Sequence, residues 1–247
     1  MESFRNFMEI TRREFKSYFE SPVAYVFLIV FLILNGFMTF MVGQYYESML
    51  ADLRLFFQWH PWVYLLLVPA VSMRLWAEEQ KSGTIELLLT LPITPAQAIM
   101  GKFIAAWSFI AIALFLTFPV IITTYYLGSP DSGVIIGGYL GSLLLAGTYV
   151  SVGLFASALT KNQVISFVIA LMMCLLLLLA GFPPVTAMFT KWAPDWLVQT
   201  VASFSFIPHF DSIQRGVIDI RDLAYYASVI VVMLFSTQLV IETKKST

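Results

Sequence analysis

Residues 163–183 read QVISFVIALMMCLLLLLAGFP, twenty-one positions without an Asp, Glu, Lys or Arg. At a rise of about 1.5 Å per residue, a helix of this length covers the ~30 Å hydrocarbon core of a bilayer. Leu175 to Leu179 are apolar all round, which suits a helix surrounded by lipid and protein rather than one half in water. Transmembrane β-strands would alternate polar and apolar over about 10 residues; this stretch does not.

Five more stretches of the same character lie outward from it, at 22–43, 61–78, 98–127, 134–159 and 222–241. The composition agrees. Of 247 residues, 59% are hydrophobic and only 12% charged, where a soluble domain has about 25% charged. The mean hydropathy is +0.83. So few charges cannot cover a water-soluble globule of this size. The sequence therefore predicts an all-α integral membrane protein, a single transmembrane domain over 1–247 with six transmembrane helices. A net charge of −1 excludes the broad basic face of a nucleic-acid binder. The first 20 positions are charged and lack the short apolar region of a signal peptide, so the first span is expected to direct insertion.

Helix starts are punctuated. Ser21-Pro22 gives an N-cap followed by Pro at the first helical position, and His60-Pro61 is expected to do the same for the second span. Thr94-Pro95-Ala96-Gln97 has the form of a capping box. Pro69 and Pro119 lie inside spans two and three and should bend them. With the N-terminus inside, ten of the fourteen Lys and Arg residues are cytoplasmic, and only Arg54, Lys191, Arg215 and Arg221 are outside. The positive-inside rule thus predicts a multi-pass protein of the bacterial cytoplasmic membrane with both termini cytoplasmic.

The sequence has no HExxH or GxSxG motif. Its two histidines, His60 and His209, sit beside prolines at predicted outer ends and read as interfacial packing, not as metal ligands. Met100-Gly101-Lys102-Phe103 resembles the end of a P-loop but lacks its leading glycine and its Ser/Thr. Cys174, in the Leu run, reads as a small buried hydrophobe. No catalytic residue, metal ligand or cofactor is therefore expected on this chain.

Four features rise above this background. Over residues 1–20, Phe4, Phe7, Met8, Thr11, Phe15, Tyr18 and Phe19 fall at helical spacing opposite Arg5, Glu9, Arg12, Arg13 and Lys16, which predicts an amphipathic helix in the inner interface. Residues 79–95, between spans two and three, are charged, break at Gly83 and then turn apolar through Ile85, Leu88 and Leu89 until Pro92. That piece is too short to span and too apolar for water, so it needs lipid headgroups, another protein or its own bundle as a partner surface. In span four, Gly133, Gly137 and Gly141 repeat every four residues and predict a close helix contact, either internal or between subunits. Finally, 184–221 carries Trp192, Trp196, Phe204, Phe206 and Phe210 but is broken by Pro184, Pro194 and Pro208. It reads as re-entrant or interfacial helices on the outer side, with Lys191, Asp195, Asp211 and Arg215 facing water. Arg74, near the inner end of span two, is expected to pair with Glu78 one turn on.

The interfacial helix, the six spans and the segment Glu78-Glu79-Gln80-Lys81-Ser82-Gly83-Thr84-Ile85-Glu86-Leu87-Leu88-Leu89-Thr90-Leu91-Pro92-Ile93 together resemble ABC-2 type transporter permeases. The resemblance covers essentially the whole chain. It implies that this segment is a coupling helix docking on a separate ABC ATPase, with Glu78, Glu79, Gly83, Thr84, Glu86, Leu88 and Pro92 as contact residues. ATP and Mg would then belong to the ATPase partner. A narrower similarity, through Phe19-Glu20-Ser21-Pro22, Val68-Pro69-Ala70 and Pro208-His209-Phe210-Asp211, is to gliding-motility-associated permease subunits. Permeases of nitrous-oxide-reductase maturation are near relatives and an alternative. The resemblance also implies a dimer with a second permease copy or a homologue, and often an auxiliary subunit with a periplasmic domain. An intramembrane enzyme lacks its motifs here, and a passive channel has no need of the apolar cytoplasmic helix.

Overall fold

The computed structural model describes residues 2–47, 49, 51–84 and 94–245, and these are helical with no strand. In chain order the helices are α1 (Glu2–Glu20), α2 (Pro22–Phe37, running on through a π-helical turn, Met38–Val42), α3 (Arg54–Phe57), α4 (His60–Ser72) and α5 (Arg74–Ser82). Then come α6 (Pro95–Phe115), α7 (Phe118–Leu127), α8 (Ser132–Leu159) and α9 (Gln163–Leu179), followed by α10 (Pro183–Phe189), α11 (Asp195–Ser203), α12 (Phe206–Gln214) and α13 (Ile220–Lys245).

Among the described residues, four stretches are long and apolar enough to cross a membrane: Pro22–Val42, Pro95–Leu127, Ser132–Leu159 and Ile220–Lys244. A fifth arises if α9 and α10, bent by 71°, count as one span. Residues 61–78, read from sequence as one helix, are instead two, broken at Met73. At the break the Ser72 hydroxyl turns back onto the Val68 carbonyl at 2.9 Å, a bond that bends helices. The break is healed from α8. Ser157 Oγ accepts from the Trp76 and Ala77 amides, both at 3.0 Å, and donates to the Met73 carbonyl at 2.8 Å. One hydroxyl thus supplies what a capping residue would, from a helix far away in sequence.

The caps read from sequence at Ser21 and Thr94 are present. Ser21 Oγ accepts from Val23 N, and the Thr94 and Gln97 side chains each accept from the other's backbone amide. His60 does not cap. Trp59 holds the N-cap position without a side-chain bond, and His60 is fully buried, its Nδ1 2.6 Å from Ser142 Oγ. The rings of Phe31, Phe56, Phe57 and Tyr64 surround it. His60 is therefore packed inside the bundle and not at its surface, because α3 folds Phe56 and Phe57 over the start of α4.

Helix α8 is the axis of the bundle, packing against α4, α5, α6, α9, α12 and α13. Its glycines set these approaches. A Cβ on Gly138 would strike the Phe57 ring, and one on Gly153 the Ser72 side chain. At Gly137 it would meet the Ile213 carbonyl oxygen, and at Gly141 it would come within 3.0 Å of Ile213 Cγ2. Gly133 lies against Gly216, which turns with φ +83. The Gly133–Gly137–Gly141 row therefore seats α12, a contact inside one chain, with Phe206, Phe210 and Ile213 buried against it. Helices α10 and α11 bury no residue. The segment 184–221 thus has an inserted half and a half lying outside the bundle.

The N-terminal helix uses its apolar stripe on protein as well. Tyr18, 3% exposed, stacks on Phe109 of α6 at 5.0 Å between ring centroids. Ile10 covers Gly101, where an added Cβ would lie 2.7 Å from Ile10 Cγ2. Met8 remains half exposed, and Arg12, Arg13 and Lys16 are exposed.

Gly137→Ala should force α12 off α8, costing about 1–3 kcal/mol as overpacking and lowering the apparent Tm in detergent. Gly36→Ala is the control. Nothing lies within 4 Å of its added Cβ, so its Tm should hold or rise with the better helix former. Equal effects of the two substitutions would refute close approach as the function of the glycine row.

Candidate functional site

Of the residues singled out for coupling, Glu78, Glu79, Gly83 and Thr84 are described, and they lie along α5 and at its end. Helix α5 ends on Gly83, whose φ of +74 is the left-handed conformation that stops a helix at little steric cost. Ser82 Oγ reaches the Glu78 carbonyl at 2.9 Å and Thr84 Oγ1 at 2.9 Å, tightening that end. Across the segment, the Thr94 capping box starts α6. Both anchors of residues 84–94 are thus fixed by local hydrogen bonds. Glu86, Leu88 and Pro92 lie outside the described residues.

The anchors are joined by a charge that sequence reading missed. Lys102, 2% exposed, extends from α6 to Glu79 Oε1 at 2.7 Å and Glu14 Oε1 at 3.1 Å, with its ammonium 5.2 Å from the Trp76 ring centroid. One cation therefore ties α1, α5 and α6 together. Burying an ammonium is costly unless carboxylates lie beside it, and here two do. The Met100-Gly101-Lys102-Phe103 stretch drew attention only as a failed nucleotide motif. No local pattern says that Lys102 points inward to residues 23 and 88 positions away.

Arg74 does not pair with Glu78. Its guanidinium sits 4.9 Å over the ring of Tyr18, while Glu78 is exposed. The reason is tertiary: α1 brings an aromatic face to Arg74, so the arginine finds a partner other than the carboxylate one turn away. Arg74, Glu78, Glu79, Glu14, Arg13 and Lys16 line a cleft of about 770 Å³.

A second knot at the same end holds the C-terminal helix. Lys244 Nζ donates to the Ala158 carbonyl at 2.7 Å and to Gln80 Oε1 at 2.6 Å, and Gln80 Nε2 donates to Ala158 at 2.9 Å. The last carbonyls of α8 lack partners within their own helix, and a cation suits them. At the opposite end, His209 Nδ1 lies 2.7 Å from Asp222 Oδ1, tying α12 to α13, with its ring stacked on Tyr225.

The described residues thus form an apolar helical bundle, with at least four stretches long enough to cross a membrane, whose helices are joined at one end by buried ion pairs. Residues 66–241 match the family model described as ABC-2 family transporter protein, which runs from within α4 to within α13 and covers more than half of the chain. The chain belongs to that family and is a permease component of an ABC transporter, a class that associates with an ABC ATPase subunit. No curated protein matches it at significant similarity.

Lys102→Met should leave two carboxylates facing each other without a cation. Losing one partner of a buried pair costs about 3–5 kcal/mol, which a drop in apparent Tm would register. Adding Glu79→Gln to that variant should recover part of the loss. A wild-type Tm for Lys102→Met would show that the cluster adds nothing to stability.

Proposed function

We propose that this chain is the membrane-spanning subunit of an ABC-2 exporter-like complex in the bacterial cytoplasmic membrane. Residues 78–94 dock on the separate ATPase, and ATP and Mg act on that partner. The observation that carries this reading is the Lys102 cluster. It fixes α5, which leads into the segment, to α6, which leads out of it, and to α1. A push on the segment is thereby delivered to three helices at once, as coupling hydrolysis to transport or to force transmission requires. The gliding-motility-type assembly, a dimer with a second permease and an auxiliary periplasmic subunit belong to this reading on the strength of the resemblance.

The same contacts support six crossings. The Lys102 and Lys244 knots gather the later part of α1, the end of α5, the start of α6 and the ends of α8 and α13 at one end of the bundle. A path in which α2, α4–α5, α6–α7, α8, α9 and α13 cross alternately meets that condition. It leaves both termini on the cytoplasmic side and 184–221 on the outer side.

Gly83→Pro and Glu86→Arg should uncouple the ATPase or release it without removing the chain from the membrane, since proline cannot adopt φ +74 and a reversed charge opposes docking. Co-purification and ATPase stimulation read this out, and normal behaviour of both variants would end the docking assignment. For topology, Asp195→Cys and Asp219→Cys in a Cys174→Ser background should each react with an impermeant thiol reagent outside intact cells. Reaction of either one only after permeabilisation would overturn the six-crossing path.

A further inference from the structure

Between α2 and α4 runs an apolar groove of about 370 Å³, walled by Val23, Val26, Val30, Leu67, Ala70 and Val71. It opens onto the exposed face of α2, where Val23, Val26, Ile29 and Ile33 follow at helical spacing. In a span this face meets hydrocarbon. Tyr18, Arg74 and Glu78 line both the mouth of the groove and the charged cleft, so the two cavities form one site with an apolar and a polar limb.

Several groups at the junction have no answer within the described residues. Tyr18 Oη is buried and lacks a hydrogen-bond partner, a costly state for a hydroxyl. Arg74 rests on the Tyr18 ring and carries no carboxylate. The other charges of the cleft are matched: Arg13 with Glu14, Lys16 with Glu20, and Lys102 with Glu14 and Glu79. What is left is one guanidinium and one exposed carboxylate, Glu78, a helical turn apart but not bridged.

We propose that this composite site holds one zwitterionic glycerophospholipid. An acyl chain lies in the α2–α4 groove, the phosphate rests on the Arg74 guanidinium that the Tyr18 ring backs, and the headgroup ammonium turns to Glu78. A guanidinium presents paired donors that match phosphate, and the ring beneath it holds its plane. One unmatched charge of each sign fits an ethanolamine-type headgroup better than an anionic glycerol one. That the lipid comes from the cytoplasmic leaflet rests on the topology proposed above; the binding chemistry does not.

The test uses the purified full-length chain in detergent and a phosphatidylethanolamine with a diazirine on one acyl chain. Photolabelling should fall within residues 23–30 and 67–73. Unlabelled phosphatidylethanolamine should compete, and diacylglycerol, which lacks the phosphate, should not. Arg74→Gln should weaken labelling about 10-fold or more, as loss of a charge-assisted hydrogen bond implies. Ala70→Trp should abolish it by filling the groove, and Glu78→Gln should shift preference toward phosphatidylglycerol. Equal competition by diacylglycerol, or labelling that survives both Arg74→Gln and Ala70→Trp, would overturn the site. An unchanged headgroup preference in Glu78→Gln would overturn the zwitterion assignment. The assay needs neither the ATPase nor an intact membrane, so its failure is distinct from failure of the coupling reading.

Discussion

The whole bundle depends on how closely other helices can approach α8. In lipid there is little hydrophobic gain when two apolar helices meet, so association relies on van der Waals contact and interhelical hydrogen bonds. Helix α8 provides both. Its glycines admit Phe57, Ser72 and the backbone at Ile213 to distances that any side chain would forbid, and its serines reach across to neighbours. Ser142 holds His60, and Ser157 repairs the Met73 break. A helix with large residues at these places would stand off from α4 and α12 and leave the broken backbone of α4–α5 unsatisfied within the bundle.

The end that carries Lys102 and Lys244 obeys a different constraint. There the chain buries charge, and a buried cation persists only where carboxylates and helix-terminal carbonyls answer it. Lys102 and Lys244 each meet that requirement by joining helices that sequence separates widely. The consequence is mechanical as well as electrostatic. The start of α6, the end of α5 and the amphipathic α1 share one ion cluster, while the ends of α8 and α13 share another. Gln80 on α5 belongs to the second while Glu79 belongs to the first, so adjacent residues link the two. A displacement arriving at α5 therefore meets a connected frame rather than a set of independent helices.

The two ends also differ in what they leave uncovered. At the opposite end, α12 is driven into the bundle by Phe206, Phe210 and Ile213, yet α10 and α11 bury nothing, and Trp192 and Trp196 are 75% and 68% exposed. Aromatic residues of this kind suit the boundary between headgroups and acyl chains.

Much of this was legible in the sequence. The apolar stretches, the caps at Ser21 and Thr94, the stop at Gly83 and the amphipathic stripe of α1 all follow from properties of single residues or of neighbours within a turn or two. Transfer into lipid is priced residue by residue, and capping is a local hydrogen bond, so a linear reading captures both. The partners were decided only by tertiary structure. Ser157 heals a break 84 residues earlier, and His60 finds Ser142 82 residues later. Arg74 turns from Glu78 to a tyrosine of α1, Lys102 finds two glutamates on other helices, and the glycine row selects α12 of its own chain. Each of these choices depends on which surfaces meet when distant helices pack. That is a property of the assembled bundle which periodicity along one helix does not contain.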